Sequence, residues 1–320
     1  MYKIYFDKVK GINNEPSRVL HIDLLCNSGY SWCRYISEIS DMYIFLDAVN
    51  ANQIGNALLS KPTHIVLGGG YWGKNTQDEC VEKIKKYIEK NPNTIIFGYW
   101  GDGILNSISN IDTSILDVVF CAFGEAVDKF KELGVEAVFY PHPVDCNLFN
   151  KYDINEKYDW CFVGTNYGAK RNIYIEELKK VFPKYIIKGL GFEGDSYSSY
   201  EETSIIFSQS KIIININDDE YCSLSKYFSD RLIMGMMCGK LVLTNNQNNL
   251  DSVFKIGTDL DTYKDLNELI EKMKYYLNVD YRRKEIGDKA ILSTSDYSMR
   301  KMFPKFFETA LRLKEKKLKK

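Results

Sequence analysis

The chain has 320 residues, of which 45% are hydrophobic and 27% are charged, and its formal net charge is −1. This composition is typical of a folded globular protein and excludes a disordered chain, and the length suits two domains of about 150 residues each. A net charge near zero does not favour a general affinity for nucleic acid or for an anionic membrane.

The apolar segments are of strand length, as at residues 212–216, so the sequence predicts no membrane-spanning helix. The first eight residues lack the apolar segment of a secretory signal. Eight cysteines occur singly rather than in C-x-x-C pairs, and there are three histidines. We therefore expect a cytoplasmic protein with reduced, packed thiols, without a zinc site or other bound metal, and without a tightly bound cofactor.

Short apolar segments alternate with helical patterns along the first half of the chain, as in parallel strands covered by helices. Strands are predicted over residues 19–25, 42–46, 64–67, 94–99, 116–122 and 137–140. The clearest helix is predicted over 77–90, where Thr76 and Glu79 have the spacing of a capping box. Another is predicted over 125–133, and Gly134 is placed to end it.

The same pattern restarts after a Pro-His-Pro segment at 141–143 and a polar stretch at 147–157. Strands are predicted over 159–164, 185–188, 211–217 and 241–244, and helices over 171–182, 200–210, 230–238, 266–277, 282–292 and 299–313. We therefore predict an α/β protein with two doubly wound, Rossmann-like domains, residues 1–148 and 149–297. Residues 298–320 are predicted to form a helical segment that packs back toward the first domain.

Ligands of doubly wound sheets bind beyond the carboxyl ends of the strands, so the turns that follow the strands are the candidate sites. After the strand at 159–164, Gly164 and Gly168 allow the backbone to approach a ligand, and Lys170 and Arg171 open a helix. Two cations at a helix start suit a diphosphate. The alternative is a glycine turn with two solvated basic residues.

A second turn follows the strand at 241–244 and is rich in asparagine over residues 245–249. Its amides, together with those of Leu250 and Asp251, are placed to bind phosphate or sugar hydroxyls at the start of a short helix. A merely polar loop is the alternative.

Several segments of the chain resemble one family in their order and spacing. They are Asp117-Val-Val-Phe-Cys, Phe130-Lys-Glu-Leu-Gly134, Tyr140-Pro-His-Pro-Val-Asp145, Phe162-Val-Gly-Thr165, Lys170-Arg171, Ser210-Lys211 with the following strand, Ser229-Asp230-Arg231-Leu232, Met237-Cys238-Gly239 and Leu243-Thr244. This set resembles the CgeB-like glycosyltransferases of spore maturation, relatives of the large retaining GT-B group. The resemblance covers residues 94–300, and the first ninety residues match only in pattern.

The resemblance implies a GT-B fold in which two Rossmann-like domains face each other across a cleft. It also implies a nucleotide-sugar donor, with a UDP-sugar as our first expectation, bound by the second domain without a required metal. The diphosphate candidates are then Lys170, Arg171 and Arg231, with Gly164 and Thr165 in the adjoining turn. Asn248, Asn249, Leu250 and Asp251 are expected near the pyrophosphate or the donor sugar. An ion pair between Arg231 and Asp230 is the alternative for that arginine.

Two positions depart from the family pattern. Met234 stands where the wider group has a glutamate that binds the donor ribose, and Lys226 stands at the place of the other glutamate of that pair. A thioether is a weak hydrogen-bond acceptor, so the ribose must be held otherwise, the donor is unusual, or the site has degenerated.

Glycosyl transfer requires a stabilised leaving group and often a base for the acceptor hydroxyl. Asp102, between two glycines after the strand at 94–99, is the first candidate for that base, and His142 is the second. Trp100 is expected to stack on a sugar, and Gly29 and Tyr30 are expected in an acceptor loop after the first strand. For Asp102 the alternative is a cap for the following turn.

The sequence therefore predicts a metal-independent, hexosyltransferase-type glycosyltransferase with an unidentified acceptor: a glycan, a protein, a small molecule or a modified DNA base. A basic tail at Lys314, Lys316, Lys317, Lys319 and Lys320 is interpreted as a solvated helix end, or else as a contact to a polyanionic acceptor such as DNA. A non-catalytic nucleotide-sugar-binding relative is the alternative function. A dinucleotide-dependent oxidoreductase is disfavoured, because no strand is followed by a G-x-G-x-x-G turn that also has the downstream acidic residue.

Overall fold

The computed structural model describes residues 7–23, 27–47, 53–68, 74–101, 105–109, 111–166, 168–192 and 198–319. The chain divides into two compact units, Met1–Pro141 with Met299–Lys320, and His142–Ser298. The boundary after Pro141 therefore lies seven residues before the predicted end of the first domain at residue 148. None of the helices within the described residues is long and apolar enough to cross a membrane.

The first unit contains a six-stranded parallel sheet with the order β2-β1-β3-β4-β5-β6. Its strands are β1 (Arg18–Asp23), β2 (Met42–Asp47), β3 (His64–Leu67), β4 (Ile95–Trp100), β5 (Val118–Cys121) and β6 (Ala137–Phe139). Its helices before the linker are α1 (Asn27–Ile39), α2 (Ile54–Leu58), α3 (Lys74–Lys90), α4 (Leu105–Ile108) and α5 (Gly124–Glu132). Every residue of β3, β4 and β5 is buried, as expected of central parallel strands that are covered on both faces.

The second unit contains a five-stranded parallel sheet with the order β11-β10-β9-β7-β8. Its strands are β7 (Tyr158–Val163), β8 (Tyr185–Lys188), β9 (Ser210–Asn215), β10 (Leu241–Asn245) and β11 (Asp261–Tyr263). Its helices are α6 (Gly168–Val181), α7 (Tyr200–Ser208), α8 (Asp219–Ser223), α9 (Asp230–Met237), α10 (Leu266–Asn278) and α11 (Asp280–Thr294). The core lies between the sheet and its helices, and Trp160 and Phe162 of β7 share one buried hydrophobic cluster with Ile175 and Leu178 of α6.

The last helix, α12 (Met299–Leu318), belongs to the first unit. Its apolar face is buried among aromatic side chains of the six-stranded sheet, and Phe306 stacks on Phe120 with 4.3 Å between the ring centroids. Lys314 is also buried, with its Nζ 3.3 Å from a carboxylate oxygen of Asp117. The interpretation of the lysine tail as solvated is therefore wrong for Lys314, because its charge is paired within the fold.

Helix α1 corrects the expectation that Gly29 and Tyr30 lie in a loop. Both residues belong to the first turn of this helix. The signal for a helix was present, because Trp32, Tyr35, Ile36 and Ile39 are spaced by three or four residues and are all buried. Tyr30 itself is 63% exposed and remains available to a ligand.

Candidate functional site

The five-stranded sheet changes its winding direction at β7, because β8 lies on one side of this strand and β9 on the other. A crevice forms at such a point, beyond the carboxyl ends of the strands, and it is the usual ligand site of a doubly wound sheet. Residues 164–166 follow β7, residues 216–217 follow β9, and α9 begins close by. The predicted donor residues after β7 and in α9 are brought together here.

Two glycines let the turns at this edge approach each other closely. Gly164 has φ +153°, and a Cβ on it would lie 2.7 Å from Nη2 of Arg231. Gly189, after β8, has φ +140°, and its Cβ would lie 2.0 Å from the carbonyl oxygen of Gly164. Any larger residue would therefore push the turns after β7 and β8 apart, or displace Arg231.

The Arg231 guanidinium, at the start of α9, forms no direct ion pair with any of the described residues. Its Nη1 donates to Oδ1 of Asn215 at 3.0 Å, and its Cζ lies 4.4 Å from the ring centroid of Phe162. Its Nε is buried and has no hydrogen-bond partner among the described residues. Burial lowers the pKa of Arg231 to about 10, and the positive charge of Arg171 lowers it as well. The site therefore holds a desolvated cation that an anion would stabilise.

The Asp230 carboxylate does not contact the Arg231 guanidinium directly, although its negative charge raises the pKa of Arg231. One oxygen of the Asp230 carboxylate accepts the backbone N–H of Arg231 at 2.7 Å, and the other lies 3.4 Å from the hydroxyl of Tyr200. The carboxylate thus binds at the N-terminus of α9, where negative charge is favoured, rather than on the guanidinium.

Arg171 is buried and donates to backbone carbonyls on both sides of the crevice. Nη2 donates to the carbonyl of Ile216 at 2.7 Å, and Nη1 donates to the carbonyl of Thr165. Arg171 therefore connects the turn after β7 to the turn after β9. This clamp was not anticipated from the sequence, and contact of Arg171 with a diphosphate stays a prediction.

Lys170 forms an ion pair with the Asp219 carboxylate of α8. Burial lowers the pKa of Lys170, but Asp219, together with Cys222 and Tyr174, raises it by more, so the pKa lies above its ordinary value. The Asp219 side chain is 84% exposed, so this partner is held only at the surface. Lys170 thus remains a diphosphate candidate that would have to exchange Asp219 for the ligand.

A buried network of amide side chains lies behind Arg231, and sequence reasoning missed it. Asn215 accepts from Ser229 Oγ at 2.9 Å and donates to Thr244 Oγ1 at 2.9 Å, while Asn245 Oδ1 accepts the backbone N–H of Asn217 at 3.0 Å. Asn217 Nδ2 is buried without a partner among the described residues. Asparagines that interrupt the end of an apolar strand were the available signal.

The asparagine side chains in the turn after β10 form hydrogen bonds with a neighbouring segment of the chain. The side-chain amides of Asn248 and Asn249 donate to Ser223 and Ser225, at 3.1 and 2.9 Å. The side chain of Leu250 is buried, which leaves only its backbone for a ligand, and Asp251 is exposed. Contact of this turn with a donor stays a prediction.

The structure describes both positions that depart from the family pattern. The Met234 side chain is buried in the inner face of α9, so this position supplies neither a carboxylate nor an open polar group. Lys226 adopts a left-handed backbone conformation with φ +61°.

The predicted acceptor-side residues have mixed outcomes. Asp102 lies outside the described residues. Trp100 is only 5% exposed and packs against Phe130, so the expectation of an open stacking face is wrong: β4 is a central strand with both faces covered. His142 is half-buried at the start of the second unit. Over the described part of the chain, no three His, Cys, Asp or Glu side chains come together as metal ligands.

Part of the chain, including the crevice residues described above, matches a known protein family. Residues 165–303 match the family described as glycosyl transferase-like, and this segment contains Lys170, Arg171 and Arg231. Comparison with curated proteins gives no match. The chain therefore carries a glycosyl transferase-like domain, as the sequence predicts.

Several solved structures have a similar fold. HepE of Anabaena, in complex with UDP and glucose, is 10% identical, with 92% of this chain and 100% of that chain covered and a TM-score of 0.63. An alpha-glucosyltransferase in complex with UDP and DNA containing an HMU base is 12% identical, with 93% and 100% covered and a TM-score of 0.63. A glycosyltransferase of Rickettsia africae is 12% identical, with 93% and 98% covered and a TM-score of 0.59. At these identities the likeness is one of fold, and the predicted GT-B class, with two Rossmann-like domains, is confirmed.

Proposed function

We propose that the chain is a metal-independent glycosyltransferase that moves a hexosyl group from a UDP-sugar to a hydroxyl acceptor. The observation that carries the proposal is the Arg231 guanidinium at the winding switch of the five-stranded sheet, which is desolvated and forms no direct ion pair with the described residues. A diphosphate supplies the missing negative charge, and its oxygens suit the guanidinium donors. The position of this cation inside the glycosyl transferase-like segment supports a nucleotide-sugar over other anions.

UDP is the proposed nucleotide because similar folds bind it. The HepE and alpha-glucosyltransferase complexes contain UDP, and another structure of HepE contains UDP-glucose. Membership of the CgeB-like group, which the motifs after β7 and in α9 suggest, is part of the same proposal.

In the proposed reaction the departing UDP gains negative charge as the bond between the anomeric carbon of the sugar and the diphosphate oxygen breaks. Arg231 stabilises that charge directly, and the N-terminus of α6 with Lys170 contributes further positive potential. This arrangement supports chemistry in which the protein's cations neutralise the leaving group. Asp102 is the proposed proton acceptor for the incoming hydroxyl, with His142 as the second candidate.

A thermal-shift panel in EDTA, with uridine, UMP, UDP, GDP and UDP-glucose, tests the donor proposal. UDP at 100 times its Kd should stabilise the folded protein by about 2.7 kcal/mol, and uridine by much less at the same concentration. Release of UDP from UDP-glucose is then measured in EDTA. No stabilisation by any nucleoside diphosphate would overturn the proposal. Turnover that disappears in EDTA and returns with Mn²⁺ would overturn metal independence alone.

A non-catalytic relative that binds a nucleotide-sugar is the second candidate, and the burial of Met234 favours it because a ribose-binding carboxylate is lacking there. UDP-glucose binding without transfer or hydrolysis would support this candidate. Loss of turnover, but not of UDP binding, in Asp102→Asn would support the enzyme.

DNA is a minority proposal for the acceptor. One similar structure is bound to DNA, but Lys314 and Lys317 of the basic tail already contact Asp117.

A further inference from the structure

The six-stranded sheet has a winding switch of its own, between β1 and β3, and a carboxylate lies there. Asp23 is the last residue of β1, and Gly68 directly follows β3. A Cβ on Gly68 would lie 2.0 Å from Oδ2 of Asp23, so the carboxylate crosses the end of β3 at the edge where doubly wound sheets bind ligands. The Asp23 side chain is 14% exposed, which leaves it within reach of a solute.

His21 stands directly behind this carboxylate. It precedes Asp23 by two residues and therefore shares its face of β1. The ring is fully buried, with Nδ1 2.9 Å from the hydroxyl of Tyr43 and Nε2 3.5 Å from Oδ2 of Asp23. Burial raises the pKa of Tyr43, so its hydroxyl is protonated and able to donate to Nδ1. In the tautomer whose Nδ1 accepts from Tyr43, the ring N–H lies on Nε2, 3.5 Å from Oδ2 of Asp23.

The unsatisfied atom of this pair is Nε2 of His21. His21 Nε2 has no hydrogen-bond partner among the described residues, and the nearest carboxylate oxygen, Oδ2 of Asp23, lies 3.5 Å from it. The ring lies among Trp32 and Phe45, where an unsatisfied N–H is costly. His64 provides the contrast: it is equally buried, and its Nε2 also lacks a hydrogen-bond partner within the described part of the chain, but it lies at the amino end of β3, away from the carboxyl edge of the sheet.

We propose that Asp23, positioned by His21, binds a hydroxyl group of the acceptor, and that the acceptor is a neutral sugar or a related polyol. A carboxylate accepts hydrogen bonds from hydroxyls and repels phosphate. Tyr30, in the first turn of the helix that follows β1, is exposed and offers an aromatic face to a sugar ring. The inference deepens the proposed function and rests on it.

The test is saturation-transfer NMR on the full chain, with methyl glucosides, methyl galactosides and myo-inositol as probes. Asp23→Asn should weaken binding about ten-fold or more, since a charge-assisted hydrogen bond is lost. His21→Leu should weaken it similarly, while His21→Gln, which keeps an N–H near the position of Nε2, should restore binding to within about three-fold of wild type. His64→Gln is the matched control and should bind the probes as the wild type does. The UDP thermal shift should be unchanged in all four variants.

Equal probe binding by the wild type and Asp23→Asn would overturn the inference, and so would an equal loss in His64→Gln. If the wild type binds UDP but none of the probes, the inference fails and the donor proposal stands. If the wild type does not bind UDP, the proposed function fails first. Should Asp23→Asn not fold, Asp23→Glu keeps the charge but moves it by one methylene, and it should weaken binding about three-fold or more, because good hydrogen-bond geometry is lost.

Discussion

The carboxyl ends of the two sheets use the same backbone arrangement for opposite charges. In each sheet a glycine directly follows a strand at the winding switch, and a charged side chain occupies the space where its Cβ would be. Above Gly164 the space is taken by the Arg231 guanidinium, with Nη2 2.7 Å from the missing Cβ. Above Gly68 it is taken by the Asp23 carboxylate, with Oδ2 at 2.0 Å.

The difference shows that the topology locates a site and the side chain determines its chemistry. A desolvated cation favours an anionic ligand, as in the nucleoside diphosphate proposed above. A partly exposed carboxylate with a buried imidazole behind it suits hydroxyl groups. The doubly wound fold alone would not separate these two roles.

The largest effect is expected from Arg231→Met. Methionine fills much of the same volume without the charge, so UDP binding should weaken about 100-fold while uridine binding changes less than about three-fold. The free energy of unfolding should stay equal or rise, because a desolvated charge has been removed. Isothermal titration and chemical denaturation measure the two effects. Arg282→Met, which removes an arginine paired with Glu285, is the control and should bind UDP normally. Equal losses for UDP and uridine would mean that Arg231 is not a diphosphate ligand.

Exchanging the two glycines for alanine tests the comparison directly. Overpacking by one methyl group typically costs about 1–3 kcal/mol, so Gly164→Ala should weaken UDP binding roughly 30-fold and leave binding of methyl glycosides intact. Gly68→Ala should do the reverse. Gly55→Ala is the control, since its Cβ would meet no atom within 4 Å. If both variants lose both ligands, the two edges are not independent sites.

The pH dependence of stability should differ between the sheets. Burial lowers the pKa of His64 to about 4, from an ordinary value of 6.5, so the unfolded chain binds the proton more readily. Stability is then lost as pH falls below 6.5, by about 2 kcal/mol at pH 5 relative to pH 7.5. Hydrogen exchange should report the loss in β3, and His64→Gln should reduce it. An equal loss in β9, or a loss unchanged in His64→Gln, would contradict this assignment.

The sequence predicted the sheets well because their signals are local. Apolar runs such as 212–216, and the periodic apolar face of α12, can each be recognised within a short stretch of consecutive residues. The missed features depend on contacts between distant segments. Asp23 meets Gly68 only because β1 and β3 are neighbours in the sheet, and Arg171 reaches Ile216 only across the winding switch. The exposure of Trp100 was misjudged because burial on both faces of β4 depends on which helices cover it.

The smallest effect concerns Lys170, whose charge is already countered by Asp219 in the free protein. UDP must displace that carboxylate, and a surface ion pair contributes only about 0–1 kcal/mol, so removing it should help UDP by a small factor. We expect Asp219→Asn to tighten UDP binding about three-fold, and Lys170→Met to weaken it about five-fold, when both are titrated at low ionic strength. At about 0.15 M salt both differences should shrink, because exposed charges are screened over about 8 Å. Glu177→Gln, which frees Lys180 on the same helix, is the matched control and should not change UDP binding. If Asp219→Asn and Lys170→Met both bind UDP as the wild type does at low salt, Lys170 is a surface residue. The charge of the diphosphate would then be borne by Arg231, with Arg171 acting as the clamp that holds the crevice in place.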